Sequence, residues 1–261
     1  MLPFRDHNPS GTVPYVTLAL IVVNLAVFVV EMRQGERIDE FVEQYGLKPA
    51  RVFGWREPPR RSRWPFILPS GPVAYKVPVW ATFFTSMFLH GGWLHVLGNM
   101  WYLWLFGDNV EDRMGHLKFL IFYLVCGLAA ALAQLGAMAA TRVSLMQGGG
   151  VMIGASGAIA GVLGAYIVAF PRARISTLMF IWFYYGVVDL PAYVVLGFWF
   201  VLQLFSGASA LMVAHTGGVA WWAHIGGFVA GMLLLGLFQK PPEKRRVYAY
   251  RPRTYGVRRF R

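Results

Sequence analysis

The chain is almost without cysteine. Cys126 is the single cysteine among 261 residues, and it lies in an apolar run. One thiol cannot form an intramolecular disulfide, so the sequence excludes a small secreted scaffold held by disulfides. It also excludes a zinc site built from several cysteines. No covalent cross-link within the chain is available to hold the fold.

Acidic residues are also scarce. The chain has 12 Asp and Glu against 24 Lys and Arg, which gives a formal net charge of +12. The basic residues flank apolar blocks and gather in the tail 240–261. This placement suits anionic lipid headgroups and membrane orientation better than a groove that follows phosphates, although the tail alone fits either partner. We therefore predict contact with the lipid bilayer and no nucleic-acid partner.

Hydrophobic residues make up 57% of the chain, more than one soluble core of this length normally needs. No small-x-small cleavage site follows the first apolar run, so that run is predicted to be an uncleaved membrane span and not a signal peptide. No internal repeat or low-complexity block stands out. The composition predicts a polytopic membrane protein.

Six apolar runs are long enough to cross a hydrocarbon core of about 30 Å, which takes about 20 helical residues, or fewer where neighbouring protein covers an end. They are residues 15–32, 87–106, 117–140, 156–170, 192–205 and 221–238. The sequence thus predicts an all-α bundle of six transmembrane helices. The apolar stretch 175–188 is short and continues directly into the fifth span, so we predict a re-entrant or interfacial piece there.

The predicted organisation has three parts. Residues 1–14 form a cytoplasmic N-terminal segment, residues 15–239 form the six-helix domain, and residues 240–261 form a basic cytoplasmic tail. A long polar first loop covers about 33–86 and is expected to form short interfacial helices. With both termini cytoplasmic, fourteen of the 24 Lys and Arg residues lie on the inner side, and nine of the other ten lie in the first loop. The short connections and the tail decide the orientation, so both termini are predicted to be cytoplasmic, in the inner (plasma) membrane.

Polar groups inside a span are costly, so each is a functional candidate. At the start of the second span, His95 and Asn99 are four residues apart, which places them on one helical face as two hydrogen-bond donors. Donors that converge on one point can stabilise an oxyanion. Alternatively, both side chains simply bond to neighbouring helices.

A glycine-rich segment leads into the fourth span and ends in Gly154-Ala-Ser156-Gly157. Glycine allows the backbone to turn sharply, which exposes a serine at the N-terminus of a helix, where the dipole favours negative charge. Position 158 is alanine, so the segment is not the G-x-S-x-G elbow of soluble hydrolases. Small-residue helix packing is the alternative interpretation.

Two glycine ridges predict close packing of the fourth and sixth spans. Gly157 and Gly161 form one small-x-x-x-small ridge, and Gly227 and Gly231 form the other. Such ridges let helix backbones approach each other. Packing of this kind brings His224, early in the sixth span, within reach of the serine, although a lone histidine can equally be structural.

The fourth and sixth spans enter the membrane from the same side, so Ser156 and His224 lie at matching depth in the predicted topology. His224 is then placed to act as general base for Ser156. After Asp112 the only acids are Asp189 and Glu243, both predicted to be cytoplasmic. With no carboxylate to orient the histidine, the sequence predicts a Ser-His dyad and not a triad.

Three motifs occur in order: H-G-G-x-x-H-x-x-x-N, G-x-S-G and A-H-x-x-G-x-x-x-G. With them, the chain from the second span to the sixth resembles the rhomboid family of intramembrane serine proteases. The resemblance implies Ser156 as nucleophile and His224 as general base. It implies an oxyanion hole made by His95, Asn99 and the Ser156 backbone N–H, with His90 near the cavity rim. It also implies transmembrane protein substrates, no cofactor and no metal, and a fifth span that gates the site.

Structural roles are predicted for Gly154, for the four ridge glycines and for Glu111, which matches the family's G-x-x-x-E-x-x-x-G turn. Two positions depart from the family pattern. Trp80 is followed by Ala81, where members often have arginine, so the anchoring of the first loop is open. Ala160 occupies a position where some members stack an aromatic ring on the catalytic histidine.

Two other functions compete with proteolysis. A catalytically silent rhomboid-like chaperone or trafficking factor is expected to have lost Ser156 or His224, and this chain keeps both. A metal site or proton path through His90, His95, His215 and His224 ranks last, because no H-E-x-x-H occurs and no acid is predicted at their depth.

Overall fold

The computed structural model describes residues 1–55, 75–141, 150–181, 184–212 and 219–240. Within these ranges the chain is mainly helical. The α-helices are α1 (Tyr15–Met32), α2 (Ile38–Tyr45), α3 (Pro49–Phe53), α4 (Val79–Thr85), α5 (Trp93–Met114), α6 (His116–Thr141), α7 (Ser156–Ala169), α8 (Ala192–Met212) and α9 (Trp221–Phe238). The strands are β1 (Leu2–Asp6), β2 (Arg174–Ile181) and β3 (Tyr184–Pro191).

The predicted helical membrane bundle is confirmed, and the protein is an integral membrane protein. Four described helices, α1, α6, α8 and α9, are long and apolar enough to cross a membrane. The other two predicted spans are also helices: α7 is a shorter apolar helix of 14 residues, and α5 ends in a polar segment. The second span begins later than predicted, at Trp93, because residues 86–88 form a 3-10 turn.

Helix α7 occupies the centre of the bundle and contacts α5, α6, α8 and α9. All its residues from Gly157 to Tyr166 are buried, as expected for a helix that is apolar on every face. The largest fully buried side chains around it include Phe106, Tyr123 and Phe228. The site residues at the start of α7 therefore stand on the most enclosed element of the fold.

The two predicted glycine ridges face each other across the α7–α9 contact. A methyl group added at Gly227 would overlap the backbone carbonyl of Gly157, and one added at Gly231 would overlap that of Gly161. The two backbones therefore touch directly, which only glycine permits at this separation. This contact sets the distance between the first turns of α7 and α9.

Glu111 of α5 is fully buried and holds the first turn of α1. Its carboxylate accepts hydrogen bonds from the backbone N–H groups of Val16, at 2.9 Å, and Thr17, at 2.7 Å. The Thr17 hydroxyl and the His116 ring also lie within hydrogen-bond distance of it. A carboxylate at a helix N-terminus meets free N–H groups and the positive end of the helix dipole, so these contacts join α1 to α5.

The stretch predicted to be re-entrant or interfacial forms a β-hairpin. Strand β2 pairs antiparallel with β3, and β1 from the N-terminal segment adds to the other edge of β2, giving the order β1-β2-β3. The sheet is an addition that the all-α prediction did not include. Since β3 leads directly into α8, the hairpin does not add a seventh span between α7 and α8.

Polar contacts fasten the sheet to the bundle. Asp6 of β1 accepts hydrogen bonds from the Tyr166 hydroxyl at 2.6 Å and from Asn109 Nδ2 at 2.9 Å. Burial raises the pKa of the Asp6 carboxyl above its usual value. At the β2–β3 pair, the Ser176 hydroxyl donates to Asp189 at 2.6 Å and lowers the pKa of that exposed carboxyl.

The first loop contains three short α-helices, α2, α3 and α4, among its described residues, and residues 56–74 lie outside the described part of the chain. Leu47 and Met152 exchange two backbone hydrogen bonds of 3.0 and 2.8 Å. This bridge ties the first loop to the segment that leads into α7.

Candidate active site

Ser156 and His224 lie side by side at one end of the bundle. Ser156 is the first residue of α7, and His224 is in the first turn of α9. The Nε2 atom of His224 is 2.8 Å from the Oγ atom of Ser156. His224 is buried, with 9% of the residue exposed. The structure thus brings together the predicted nucleophile and the predicted base.

Gly154 lets the chain pass close to His95 just before the serine. Its φ of +123° lies in the region that side chains rarely adopt, and a methyl group there would stand 2.8 Å from His95 Nε2. The Gly154 N–H donates to the Ser86 carbonyl at 2.9 Å, which fixes this turn. The glycine therefore sets how closely the serine loop and the His95 ring approach.

The His95 ring presents a donor toward this turn. The Gly91 backbone N–H donates to His95 Nδ1 at 3.3 Å, so in the neutral ring the proton belongs on Nε2. Nε2 and Cε1 of His95 are the two atoms that a methyl group on Gly154 would meet first, both at 2.8 Å. The orientation suits a hydrogen-bond donor beside the serine.

Asn99 has a buried side-chain nitrogen, Nδ2, with no hydrogen-bond partner among the described residues. It lines one cavity together with His95, Ser156 and His224. The cavity has a volume of about 220 Å³. A buried amide N–H without a partner, on a residue that lines a cavity, is suited to bind an oxygen of a ligand.

Helix α8 contributes two residues that the sequence analysis missed. Gln203, which is 6% exposed, places Oε1 2.7 Å from His224 Nδ1. The Trp199 ring lies 5.9 Å from the imidazole, centroid to centroid, at an angle of 35°. A buried glutamine in an apolar helix was the available signal, since polar groups inside spans are costly. Ala160 lines the cavity, and the aromatic ring beside the histidine comes from α8 instead.

His90 differs from its predicted position near the cavity rim. It is 1% exposed, and its ring packs against His95 with centroids 5.1 Å apart. Its backbone N–H donates to Glu31 at 3.0 Å. The prediction that no acid shares the depth of these histidines was therefore wrong. It overlooked Glu31, which lies in the last turn of the first span on the same side.

The described residues include no group of three or more His, Cys, Asp or Glu side chains arranged to hold a metal ion. His215, one member of the alternative histidine path, lies outside the described part of the chain.

Comparisons with known proteins converge on one family. A family model described as Rhomboid domain matches residues 78–240, which is more than half of the chain. RHOMBOID-like protein 1 of Arabidopsis thaliana is 27% identical over 238 residues, covering 88% of this chain and 54% of that protein. Rhomboid protein 1, mitochondrial, of Saccharomyces cerevisiae is 30% identical over 162 residues, covering 62% of this chain and 42% of that protein.

The chain therefore spans about half the length of these two relatives. A third, RHOMBOID-like protein 6, mitochondrial, of Arabidopsis thaliana is 23% identical over 252 residues, covering 88% of this chain and 70% of that protein. Two of the three names place the relative in mitochondria. The names thus give no support to the plasma-membrane location predicted from the sequence.

Proposed function

The chain belongs to the rhomboid family, and we propose that it is a serine endopeptidase that cleaves transmembrane segments of other membrane proteins inside the bilayer. The observation that carries this proposal is the 2.8 Å separation between Ser156 Oγ and His224 Nε2. The pair faces a cavity that His95 and Asn99 also line. A nucleophile, a base and oxyanion donors thus share one space, which is the arrangement that acyl transfer needs.

In the first step, Ser156 Oγ bonds to the carbonyl carbon of the scissile peptide while His224 Nε2 takes the hydroxyl proton. The electron pair of the carbonyl double bond moves onto oxygen. Removal of the proton by an adjacent base makes a neutral hydroxyl an effective nucleophile.

The negative oxygen is stabilised by His95 Nε2–H, Asn99 Nδ2–H and the Ser156 backbone N–H. Ser156 begins α7, so its N–H is not used in that helix and lies at the positive end of the helix dipole. Loss of one such donor in a related mechanism costs about 10² to 10³ in rate.

Collapse of the intermediate breaks the peptide C–N bond, and the imidazolium gives its proton to the departing amine. Water then attacks the acyl-serine ester with His224 again taking the proton, and Ser156 recovers that proton as the acid leaves. The cycle consumes one water molecule and needs no cofactor.

The substrate must present an unwound peptide bond. A helix hides its carbonyl groups in bonds from residue i to residue i+4, so a transmembrane helix must open before Ser156 can attack. We propose that substrates with Gly or Pro near a small cleavage-site residue are cut best. Replacing those breakers with leucine should slow cleavage, and faster cleavage would contradict this preference.

The proposed orientation places both termini in the cytoplasm and the Ser156 end of the bundle on the other side. Glu36 follows α1 and Arg172 follows α7, and both are exposed. In a Cys126→Ala background, Glu36→Cys should react with an impermeant maleimide from the non-cytoplasmic side and Arg172→Cys only from inside. Opposite labelling would overturn the topology.

The plasma-membrane location stays a proposal, tested by cell fractionation.

A fluorophosphonate probe, which reacts with activated serines, tests the proposed activity directly. The purified protein in lipid should be labelled at Ser156, and labelling should be lost in His224→Ala. The competing function, a silent rhomboid-like chaperone, predicts a folded protein that binds membrane clients without labelling. Absence of labelling in folded wild type would favour that alternative.

A further inference from the structure

Gln203 and His224 form a buried side-chain pair that the proposed Ser-His chemistry does not use. We infer that Gln203 is a positioning residue: its side-chain oxygen holds His224 in the tautomer and orientation that let the ring accept the Ser156 proton. The inference rests on the proposed protease function, and it adds a neutral third member behind the dyad.

The geometry assigns the proton on the imidazole. An amide oxygen can only accept a hydrogen bond, and Gln203 Oε1 lies 2.7 Å from His224 Nδ1, so Nδ1 carries the proton. In the neutral ring, Nε2 then carries a lone pair, and it faces Ser156 Oγ at 2.8 Å. The opposite tautomer would direct an N–H at the serine and could not take its proton.

Burial makes this bond a strong constraint. Gln203 and His224 are 6% and 9% exposed, so water is a poor substitute partner for either. An amide without a partner in such a place is costly, since buried polar groups need hydrogen bonds. Gln203 Oε1 and His224 Nδ1 therefore satisfy each other's hydrogen-bonding requirement, and neither side chain can rotate away without losing that bond.

Trp199 restricts the ring from a second direction. It stands one turn before Gln203 on α8 and lies 5.9 Å from both the His224 and the Phe228 rings. Trp221 adds an edge contact to the imidazole at 6.3 Å. One face of α8 thus supplies both an acceptor for Nδ1 and an aromatic wall, so the imidazole plane is fixed.

An isosteric pair of variants separates the acceptor from packing. Gln203→Met keeps the length and removes the acceptor, whereas Gln203→Glu keeps both. Leu202→Ala, at an exposed position on the same helix, is the matched control. We expect Gln203→Met to lower kcat on a transmembrane substrate by about 10²-fold with KM little changed, because a general base contributes about 10² to 10⁴. The kcat of Gln203→Glu should remain within about tenfold of wild type. The kcat of Leu202→Ala should equal that of wild type.

A spectroscopic readout does not depend on activity. The imidazole ¹⁵N signal of His224, assigned by its loss in His224→Ala, should report a ring protonated on Nδ1 in wild type. In Gln203→Met it should report a mixture of tautomers. A glutamine with only a packing role would leave this signal unchanged.

The outcomes are distinct. Wild-type kcat in folded Gln203→Met would overturn the inference, and so would a Gln203→Glu variant as slow as Gln203→Met. If Gln203→Met fails to fold, as judged by size exclusion and thermal unfolding, Gln203→Leu makes the same comparison. Failure of wild type to react with the fluorophosphonate probe would instead overturn the proposed protease function.

Discussion

His224 Nε2 lies 2.8 Å from Ser156 Oγ, although the two residues are 68 positions apart in the chain. Both residues lie in helices and not in loops. Each stands at the start of a helix, and the helices meet through glycines that allow backbone contact. The 2.8 Å distance between the two side chains is therefore set by the packing of α7 against α9.

The first prediction treats Ser156 and His224 as one unit. Ser156→Ala and His224→Ala should each abolish cleavage of a model transmembrane substrate, because nucleophile and base act in the same step. The double variant should be little slower than either single variant, since residues of one catalytic unit are strongly non-additive. Turnover is measured on purified protein in liposomes. Robust proteolysis by pure Ser156→Ala protein would end the assignment.

The sequence predicts the helical bundle and the Ser156–His224 pair because both leave local patterns. Apolar runs of sufficient length indicate spans, and glycines four residues apart indicate close helix contact. Those patterns place the serine and histidine at one depth. Gly227 and Gly231, where an added methyl group would overlap the α7 backbone, are the two glycines of this predicted ridge.

Gln203 and the hairpin leave no such pattern. The partner of Gln203 is 21 residues away on another helix, and only the orientation of α8 selects it. Residues 175–188 form an apolar stretch too short to distinguish strand from helix by periodicity. Its pairing with β1 depends on a segment more than 160 residues earlier, as in the register Leu2 with Leu178. Contacts of this kind are set by tertiary structure.

The second prediction concerns the glycine contact. Gly231→Ala should destabilise the protein by about 1 to 3 kcal/mol, because the new methyl group overlaps the Gly161 carbonyl. Displacement of α9 should also reduce probe labelling of Ser156. Gly236→Ala, on the same helix, meets open space and is the matched control. Thermal unfolding in detergent compares them, and equal melting temperatures would refute the contact.

The third prediction concerns the Asp6 anchor of the sheet. Asp6→Ala removes the acceptor of the Tyr166 hydroxyl and one of the two acceptors of Asn109 Nδ2, which keeps its bond to Asp108. The free energy of unfolding should therefore fall by about 1 to 3 kcal/mol.

The effect of Asp6 should depend on pH. Burial raises the pKa of the Asp6 carboxyl above its ordinary 3.8 in the folded protein. A carboxyl with a raised folded pKa contributes stability that is fully present below the unfolded pKa and is lost as the pH rises through the folded pKa. The stability difference between wild type and Asp6→Ala should therefore narrow as the pH rises above 3.8. Denaturant unfolding measures it, and a difference that widens would reverse the assigned direction.

The last prediction is that no carboxylate takes part behind His224. In a Ser-His-Asp triad, neutralising the aspartate costs about 10⁴ in rate, whereas losing one oxyanion donor costs about 10² to 10³. Here Nδ1 of His224 faces Gln203, and Asp189 is held by Ser176 in the sheet. Asp189→Asn should therefore keep turnover within about tenfold of wild type, and so should Glu111→Gln and Asp108→Asn unless they lose folding stability.

Asn99→Ala should cost more than any of these changes, since Asn99 lines the cavity and its buried Nδ2 has no hydrogen-bond partner among the described residues. His95→Ala should also be costly, but its ring packs against His90, so Asn99 is the cleaner test. kcat/KM on one transmembrane substrate, with melting temperature as the folding control, compares the variants. If folded Asp189→Asn lost about 10⁴ in rate while Asn99→Ala was nearly silent, a carboxylate would have to act behind His224 and the dyad would be untenable.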